Sequence, residues 1–421
     1  MKERFETVMA AGENAANQPQ SAPTPKLQKV IFLLRDHKNF AKYYEPRVVS
    51  LGPIHHGKER YRLGETYKLR LTKDFVTESC ENASINNLYK KIEQEIEELR
   101  KCFEEEVTKR YDNGDLAWIL FVDGCAILQY IYYAVKDKFK EKNIKDDSVA
   151  FCQQDLFLLE NQLPYRLLES LMSLSKMRDE FRNSIQNFIK RNHNMVLEGG
   201  QQLSGNGERS EDSEPPLPTH LLDLLRTSLL GPPGAQKHTM NSQIERKDPE
   251  WQSYRNLQEL KAAGIIVKRS CIKTGPKFLN MIAYEMCLDF YNDFGVTSYI
   301  SFLDSLIDEA SDVKDLRKAR VLYNFLGSDE EVAQLFNEIG TDLVPNLEAY
   351  KDVKYQIQEC YDNTWMRFTA EFFHYHFLTS WTGFASLGAF FALFLGATQT
   401  WFAVFSPDHC DDFCKKFTQN L

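Results

Sequence analysis

Apolar residues recur at three- and four-residue steps through residues 85–107, as Ile85, Leu88, Tyr89, Ile92, Ile96, Leu99, Phe103 and Val107. That spacing lays them along one face of an α-helix. Glu97–Lys101, Glu105–Lys109 and Glu106–Arg110 supply four-spaced ion pairs, and Ser84 stands where an N-cap belongs. Residues 117–135 are apolar on nearly every side, which predicts a helix enclosed in a core. Asp123 in its middle, and Gln129 and the tyrosines of its second half, argue against a membrane span there. Residues 151–174 read as two helical pieces divided near Pro164, because the residue before a proline is pushed out of the α region. Helical periods return at 221–230, 257–263, 282–290, 301–307 and 331–339, while strand patterns are confined to 47–51 and 264–268. The expected fold is mainly α: a helical globular domain with few short strands and one C-terminal transmembrane helix.

The last of these elements has the strongest pattern. From Phe372 to Pro407 there is no Asp, Glu, Lys or Arg, and the run centres on WTGFASLGAFFALFLGATQTWFAVF. Trp381 and Trp401 lie twenty residues apart, about 30 Å along a helix and close to the thickness of a bilayer's hydrocarbon. Tryptophans at both ends suit the two interfaces. Gly388, Ala392 and Gly396 form a four-spaced stripe of small residues, a candidate helix–helix contact for self-association. Without a secretory signal peptide, and with twenty residues after Trp401, the expected arrangement is a single-pass tail anchor. The large N-terminal domain would then be cytosolic, on the plasma membrane or an endomembrane. Lys415 and Lys416 favour the opposite placement under the positive-inside rule, and Asn82-Ala83-Ser84 is a glycosylation sequon of use only in a lumenal domain.

Polar, small-residue-rich residues 1–27 read as a disordered lead-in, 28–371 as the helical domain, 381–405 as the span and 406–421 as a short polar tail. Within the domain, 198–219 and 231–249 are rich in Gly, Pro, Ser and charge and read as flexible insertions. A formal charge of −9 argues against a nucleic-acid partner, and nothing along the chain points to a local basic patch. Nine cysteines, an odd count with no CxxC pair, fit a reducing compartment.

Eight segments stand out by wording: YYEPRVVSLGPIHHGKERYRLGETYKLR (43–70), FVDGCAIL (121–128), DLFLLENQLPYRLLESL (155–171), HLLDLLR (220–226), LKAAGI (260–265), NMIAYEMC (280–287), TSYISFLDSLI (297–307) and LGSDEEVAQLFNEI (326–339). In this order they resemble the plant family known as domain of unknown function 247, also uncharacterised protein family 0481. The resemblance runs from about residue 29 to the end, terminal apolar helix included. It implies a land-plant, single-pass membrane protein with no established enzymatic activity. Some grass members are linked to pollen self-recognition, which implies a recognition or signalling role. The long polar lead-in and the acidic stretch 211–214 depart from the family pattern.

The residues of these motifs have plain structural readings. Gly52, Pro53 and Gly57 make a tight loop around His55 and His56. Two adjacent histidines on an extended chain point to opposite sides, and no further ligands are spaced for zinc, so neither a metal nor a cofactor is expected. Asp155 and Glu160 would lie about 140° apart on one helix and form no same-face pair. Asn161 and Gln162 are expected to satisfy backbone groups opened by the break before Pro164. Asp123, followed by Gly124, must be paired or neutral if buried, and Glu285 interrupts a second apolar helix. The alternative is a hydrolase using His55 or His56 with Asp123, Glu160 and Glu285 as buried carboxylates. No Walker loop, GxSxG elbow, HExxH or Rossmann fingerprint is present. The expected function is therefore non-enzymatic: recognition of a protein partner by a module held on the lipid bilayer.

Overall fold

The computed structural model describes residues 25–79, 85–142, 144–198, 217–230, 256–262, 265, 271–274, 276–290, 293–319, 321–324, 328–340, 342–346, 349–362 and 380–405. The chain divides into two compact units, Met1–Tyr254 with Val267–Tyr350, and Arg255–Ile266 with Lys351–Leu421.

The described helices of the first unit are α1 (Phe32–Arg35), α2 (Phe40–Tyr44), α3 (Arg62–Ser79), α4 (Ile85–Lys101), α5 (Glu105–Thr108), α6 (Asn113–Lys136), α7 (Asp146–Asp155), α8 (Tyr165–Ser173), α9 (Arg178–Val196) and α10 (Leu221–Leu230). Helix α11 (Leu257–Ala262) belongs to the second unit. The first resumes with α12 (Pro276–Glu285), α13 (Gly295–Asp304), α14 (Ala310–Lys318) and α15 (Asp329–Gly340). The only described sheet is small: β1 (Leu197–Glu198) pairs antiparallel with β2 (Cys271–Thr274), which pairs parallel with β3 (Leu322–Asn324). The protein is mainly α with few short strands, as its periodicity implies.

Helix α6 is the axis of the first unit, ringed by α3, α4, α8 and α9. It starts at Asp112, whose side chain accepts from the Asp115 N–H at 2.7 Å, and stops at Asp137 in the left-handed region, φ 56°. Gly124 is where α8 seats against it. A Cβ there would lie 2.5 Å from Leu171 Cδ1 and 3.2 Å from Leu167 Cδ2. Helices α3 and α9 are not among the helical periods read from the sequence, for different reasons. The buried face of α3 is Gly64, Lys68, Leu71, Thr72, Phe75 and Ser79, too polar to register as an apolar stripe. The period of α9 is plain, with Phe181, Ile185, Phe188 and Ile189 all buried.

The expected helix over 85–107 is interrupted. It ends at Lys101, where Leu27 inserts as a one-residue bridge: the Leu27 N–H donates to Cys102 O at 2.8 Å and the Glu104 N–H to Leu27 O at 3.0 Å. Leu27 is 1 % exposed, so the stretch read as a disordered lead-in over 1–27 includes a buried residue at its end; 1–24 lie outside the described residues. The ion pairs shift with the break. Lys101 pairs with Glu98 and Lys109 with Glu106 at three-residue spacing, and Arg110 turns to the loop described below. The strand expected at 47–51 is extended chain whose N–H groups meet side chains instead of another strand. Most of 264–268 lies outside the described residues, as do Asn82, Ser84, 199–216 and 231–249.

The second unit contains α16 (Lys351–Asp362) and α17 (Ser380–Val404). Among the described residues two helices, α6 and α17, are long and apolar enough to cross a membrane, with the same mean hydropathy. Their surroundings differ: the apolar window of α6 is 83 % buried and that of α17 0 %. Along α17, Phe390, Leu393, Phe402 and Trp401 are exposed, and the space beside Gly388 and Gly396 is open; Ala392 is exposed as well. The Trp381 side chain and residues 406–421 lie outside the described residues.

Candidate functional site

The signature segment 47–57 is held by polar side chains that come from the helix break at 156–164 and from α3 and α6. Asp155, at the end of α7, is buried and accepts three consecutive backbone N–H bonds, from Arg47 at 2.9 Å, Val48 at 2.8 Å and Val49 at 3.0 Å. Asn161 continues the series: its Oδ1 accepts from the Leu51 N–H at 2.6 Å, while its Nδ2 donates to Val49 O and Asp155 O. Asp123 takes the next N–H, that of Gly52, at 2.8 Å. These acceptors do for the extended segment what a neighbouring strand would do, so the N–H groups of Arg47, Val48, Val49, Leu51 and Gly52 are satisfied without a sheet.

Asp123 also meets the Lys68 ammonium at 2.6 Å, and Lys68 donates as well to Ser50 O and Glu65 at 2.8 Å each. Three acceptors match the three protons of an ammonium. Burial pulls Lys68 down, but Asp123 and Glu65 outweigh it, so its pKa ends above the ordinary lysine value; burial raises the Asp123 carboxyl in spite of Lys68 and the Gly52 N–H.

Glu160 ties the N-terminal segment to the same frame. Its Oε1 accepts from the Val30 N–H at 2.9 Å and from Arg35 Nη2, and its Oε2 lies 3.0 Å from His55 Nε2. That last approach is a close contact off the line of a straight hydrogen bond. The other His55 nitrogen, Nδ1, lies 2.8 Å from Lys58 Nζ. Burial pushes the Glu160 carboxyl up, yet His55, Arg35 and the Val30 N–H together hold it below its ordinary value. Gln162 spans the break, donating to Leu156 O and Leu158 O at 2.8 Å and accepting the Leu222 N–H of α10 at 3.1 Å. Pro164 caps α8, and the Tyr165 N–H then reaches Thr219 O at 2.8 Å.

The turn itself depends on two glycines in the left-handed region, Gly52 at φ 68° and Gly57 at φ 82°. Its carbonyls face outward to Arg110, whose Nη2 donates to Pro53 O at 2.7 Å, and to Tyr111, whose hydroxyl donates to the same oxygen at 3.0 Å. His56 sits edge-on to the Tyr111 ring, with centroids 6.2 Å apart, and its Nδ1 has no partner. His55 is thus an interior residue, and His56 lies at the rim beside exposed Gly57, Lys58 and Arg110.

Glu285 belongs elsewhere. It accepts from Arg226 Nε at 2.7 Å and caps α13 through the Val296 and Thr297 N–H groups and the Thr297 hydroxyl. Arg226, 1 % exposed, also donates to Asp293 O. Burial raises the Glu285 carboxyl in spite of these donors. Of the carboxylates named for hydrolytic chemistry, Asp123 and Glu160 both end at the 52–55 turn, on the Gly52 N–H and beside His55, whereas Glu285 ends among Arg226, Val296 and Thr297. No group of three or more His, Cys, Asp or Glu that could hold a metal ion occurs among the described residues.

Several residues central to this frame are not among the candidate sites read from the sequence. Lys68 and Arg226 are cations inside helices whose burial no linear pattern marks. Asn280 accepts the Leu159 N–H at 2.8 Å and donates to Tyr43 O, joining the break to α12 and α2. Its one signal is an amide inside the apolar run NMIAYEMC.

Fold and site define a class: a helical protein whose polar interior grips a glycine turn, followed by an uncovered apolar helix. The chain belongs to the DUF247 family, described as plant protein of unknown function, whose profile matches residues 27–275 and 270–395. It is 25 % identical over 417 residues to a UPF0481 protein of Arabidopsis thaliana, across 87 % of this chain and 83 % of that one. No solved structure matches.

Proposed function

We propose that this protein is a membrane-attached recognition module, held by α17 and presenting the Pro53–Gly57 turn with Arg110 and Tyr111 to a protein partner. The observation that carries the attachment is that α17 has no covering anywhere along its apolar window, whereas the equally apolar α6 is enclosed. An uncovered helix of this length is unfavourable in water and favourable in a bilayer. The recognition half rests on the polar interior, whose buried carboxylates are committed to backbone N–H groups and cations and so act as scaffold. What they position is a turn that is buried at Pro53 and His55 and reaches the surface at Gly57, with exposed Lys58 and Arg110 at its rim. The domain faces the cytosol, with neither nucleic acid nor cofactor as its ligand.

The test is fractionation of plant cells expressing the full chain. Retention in the pellet after alkaline carbonate, and release when residues after Phe377 are removed, support attachment. Full-length chain in the supernatant overturns it. A glycosidase-sensitive gel shift that disappears with Asn82→Gln would place the domain in the lumen instead. Unchanged oligomers in detergent for Gly388→Ile/Gly396→Ile would remove self-association through α17.

A further inference from the structure

Between Leu116 and Tyr133 every residue of α6 is buried except Trp118, which is 49 % exposed. The largest side chain of an enclosed helix is thus the one that faces out. Outside α17 it is also the one tryptophan side chain among the described residues. It belongs to a three-ring cluster with Tyr89 of α4 and with Phe121, ring centroids 5.9 to 6.1 Å apart. Phe121 is fully buried and Tyr89 half-buried, so the indole is held by its neighbours while half of it meets solvent.

The charge beside these rings is of one sign. Burial raises the Tyr89 hydroxyl above the ordinary tyrosine pKa, and the charged groups that add to the rise are all carboxylates: Glu93, Asp112 and Asp115. Glu93 lies one turn beyond Tyr89 on α4, and Asp115 one turn before Trp118 on α6, so each shares its ring's face of the helix. The two helices run antiparallel, since Asn113 donates to Glu97 at 2.6 Å while Tyr89 meets Phe121. Both carboxylates therefore lie toward the start of α6, and neither has a cation partner among the described residues. The cations of α4 are engaged or turned aside. Lys91 and Lys101 pair with Glu95 and Glu98, and Arg100 donates to Asn113 Oδ1, Thr108 O and Tyr111 O. Lys90 lies about 100° round the helix from Tyr89.

We infer that Trp118 and Tyr89 receive an arginine side chain of a protein partner. Its guanidinium stacks on the indole by cation–π attraction and directs its forked N–H donors at Glu93 and Asp115. A lysine ammonium is drawn by the same charges but neither stacks nor forks. A quaternary ammonium, such as a choline headgroup, suits aromatic faces but has no N–H for the carboxylates. An anionic lipid surface meets like charge here, and no group of His, Cys, Asp or Glu that could hold a metal ion occurs among the described residues. A half-exposed tryptophan anchored by buried neighbours also has the character of a residue that dominates a protein interface. The site gives the partner's chemistry at a second surface and so rests on the recognition reading above.

The probe is a fluorescein-labelled decapeptide of alternating glycine and arginine, measured by anisotropy against the full chain in phosphatidylcholine nanodiscs. Its matches carry lysine or the uncharged citrulline in place of arginine. The expected order is arginine at least threefold tighter than lysine, with no binding of the citrulline peptide. Trp118→Leu, which keeps an apolar side chain but removes the aromatic face, should weaken the arginine peptide at least tenfold. Glu93→Gln/Asp115→Asn should weaken it at least fivefold, and the charge-matched control Asp179→Asn/Glu180→Gln on α9 less than twofold. Equal losses in those two double variants would reduce the effect to net charge and overturn the site. Arginine and lysine peptides bound equally, or unchanged binding by Trp118→Leu, would overturn it as well. Tetramethylammonium displacing the peptide at lower concentration than N-acetyl-arginine amide would overturn it in favour of a quaternary ammonium. Partner capture that is unchanged in Trp118→Leu overturns this site and leaves the recognition reading standing.

Discussion

Lys68 Nζ lies 2.6 Å from Asp123 Oδ1, both side chains are almost wholly buried, and each also holds the backbone of one loop. The pair binds α3 to α6 and fixes Ser50 and Gly52 between them. A buried ion pair is weak evidence of net stabilisation, but removing one partner strands the other.

Lys68→Met should therefore lower stability by about 3–5 kcal/mol, the cost of an uncompensated buried carboxylate. Adding Asp123→Leu should recover much of that loss without restoring the position of Gly52. Thermal denaturation of the full chain in detergent measures the first effect, and amide exchange at Leu51 and Gly52 the second.

Asp155→Asn is nearly isosteric and still disruptive. One carboxylate oxygen accepting two N–H groups and the other accepting one become an amide whose NH₂ must face a donor. A loss of about 2–4 kcal/mol is expected, with faster amide exchange at Arg47, Val48 and Val49. Unchanged exchange there would show that the three bonds do not hold the segment.

Asp304 gives a pH dependence with a definite sign. Burial raises its pKa to about 6, its Oδ1 has no partner, and its carboxylate rests against Gly340. A carboxyl raised in the folded state opposes folding when ionised, so this contribution improves as pH falls through about 6 and levels off below the unfolded value, about 4. Asp304→Asn should stabilise the chain by about 1 kcal/mol at pH 7.5, a figure discounted because the group is well short of fully buried. The gain should vanish near pH 4. Denaturation midpoints at the two pH values check it.

The two glycines of the turn should respond unequally. Both have positive φ, which costs a residue with a Cβ about 1–2 kcal/mol. At Gly57 the space is open, whereas at Gly52 a Cβ would also lie 3.1 Å from Gln162 O. Gly52→Ala should thus destabilise more than Gly57→Ala, and the same thermal measurement ranks them.

What the chain's own pattern determined is what depends on neighbours in sequence. The stripe Leu88, Ile92, Ile96 and Leu99, the all-round apolarity of α6, the break before Pro164 and the uncharged run of α17 each report a local periodicity or its absence, and each is found as an element. The Gly-Pro-Ile-His-His-Gly motif likewise announced a tight turn, and Gly52 and Gly57 adopt the backbone that only glycine enters freely. Tertiary structure alone decided which polar groups are interior. Lys68 is buried because Asp123 lies opposite it, Arg226 because Glu285 does, and residues 47–49 need no partner strand because Asp155 reaches them from more than a hundred residues away. Burial of a charge depends on a complementary charge arriving through the fold, and no window of sequence contains that information. For α6 and α17, alike in mean hydropathy, Asp123 already marked α6 in the sequence, and the fold added that one is enclosed and the other is not.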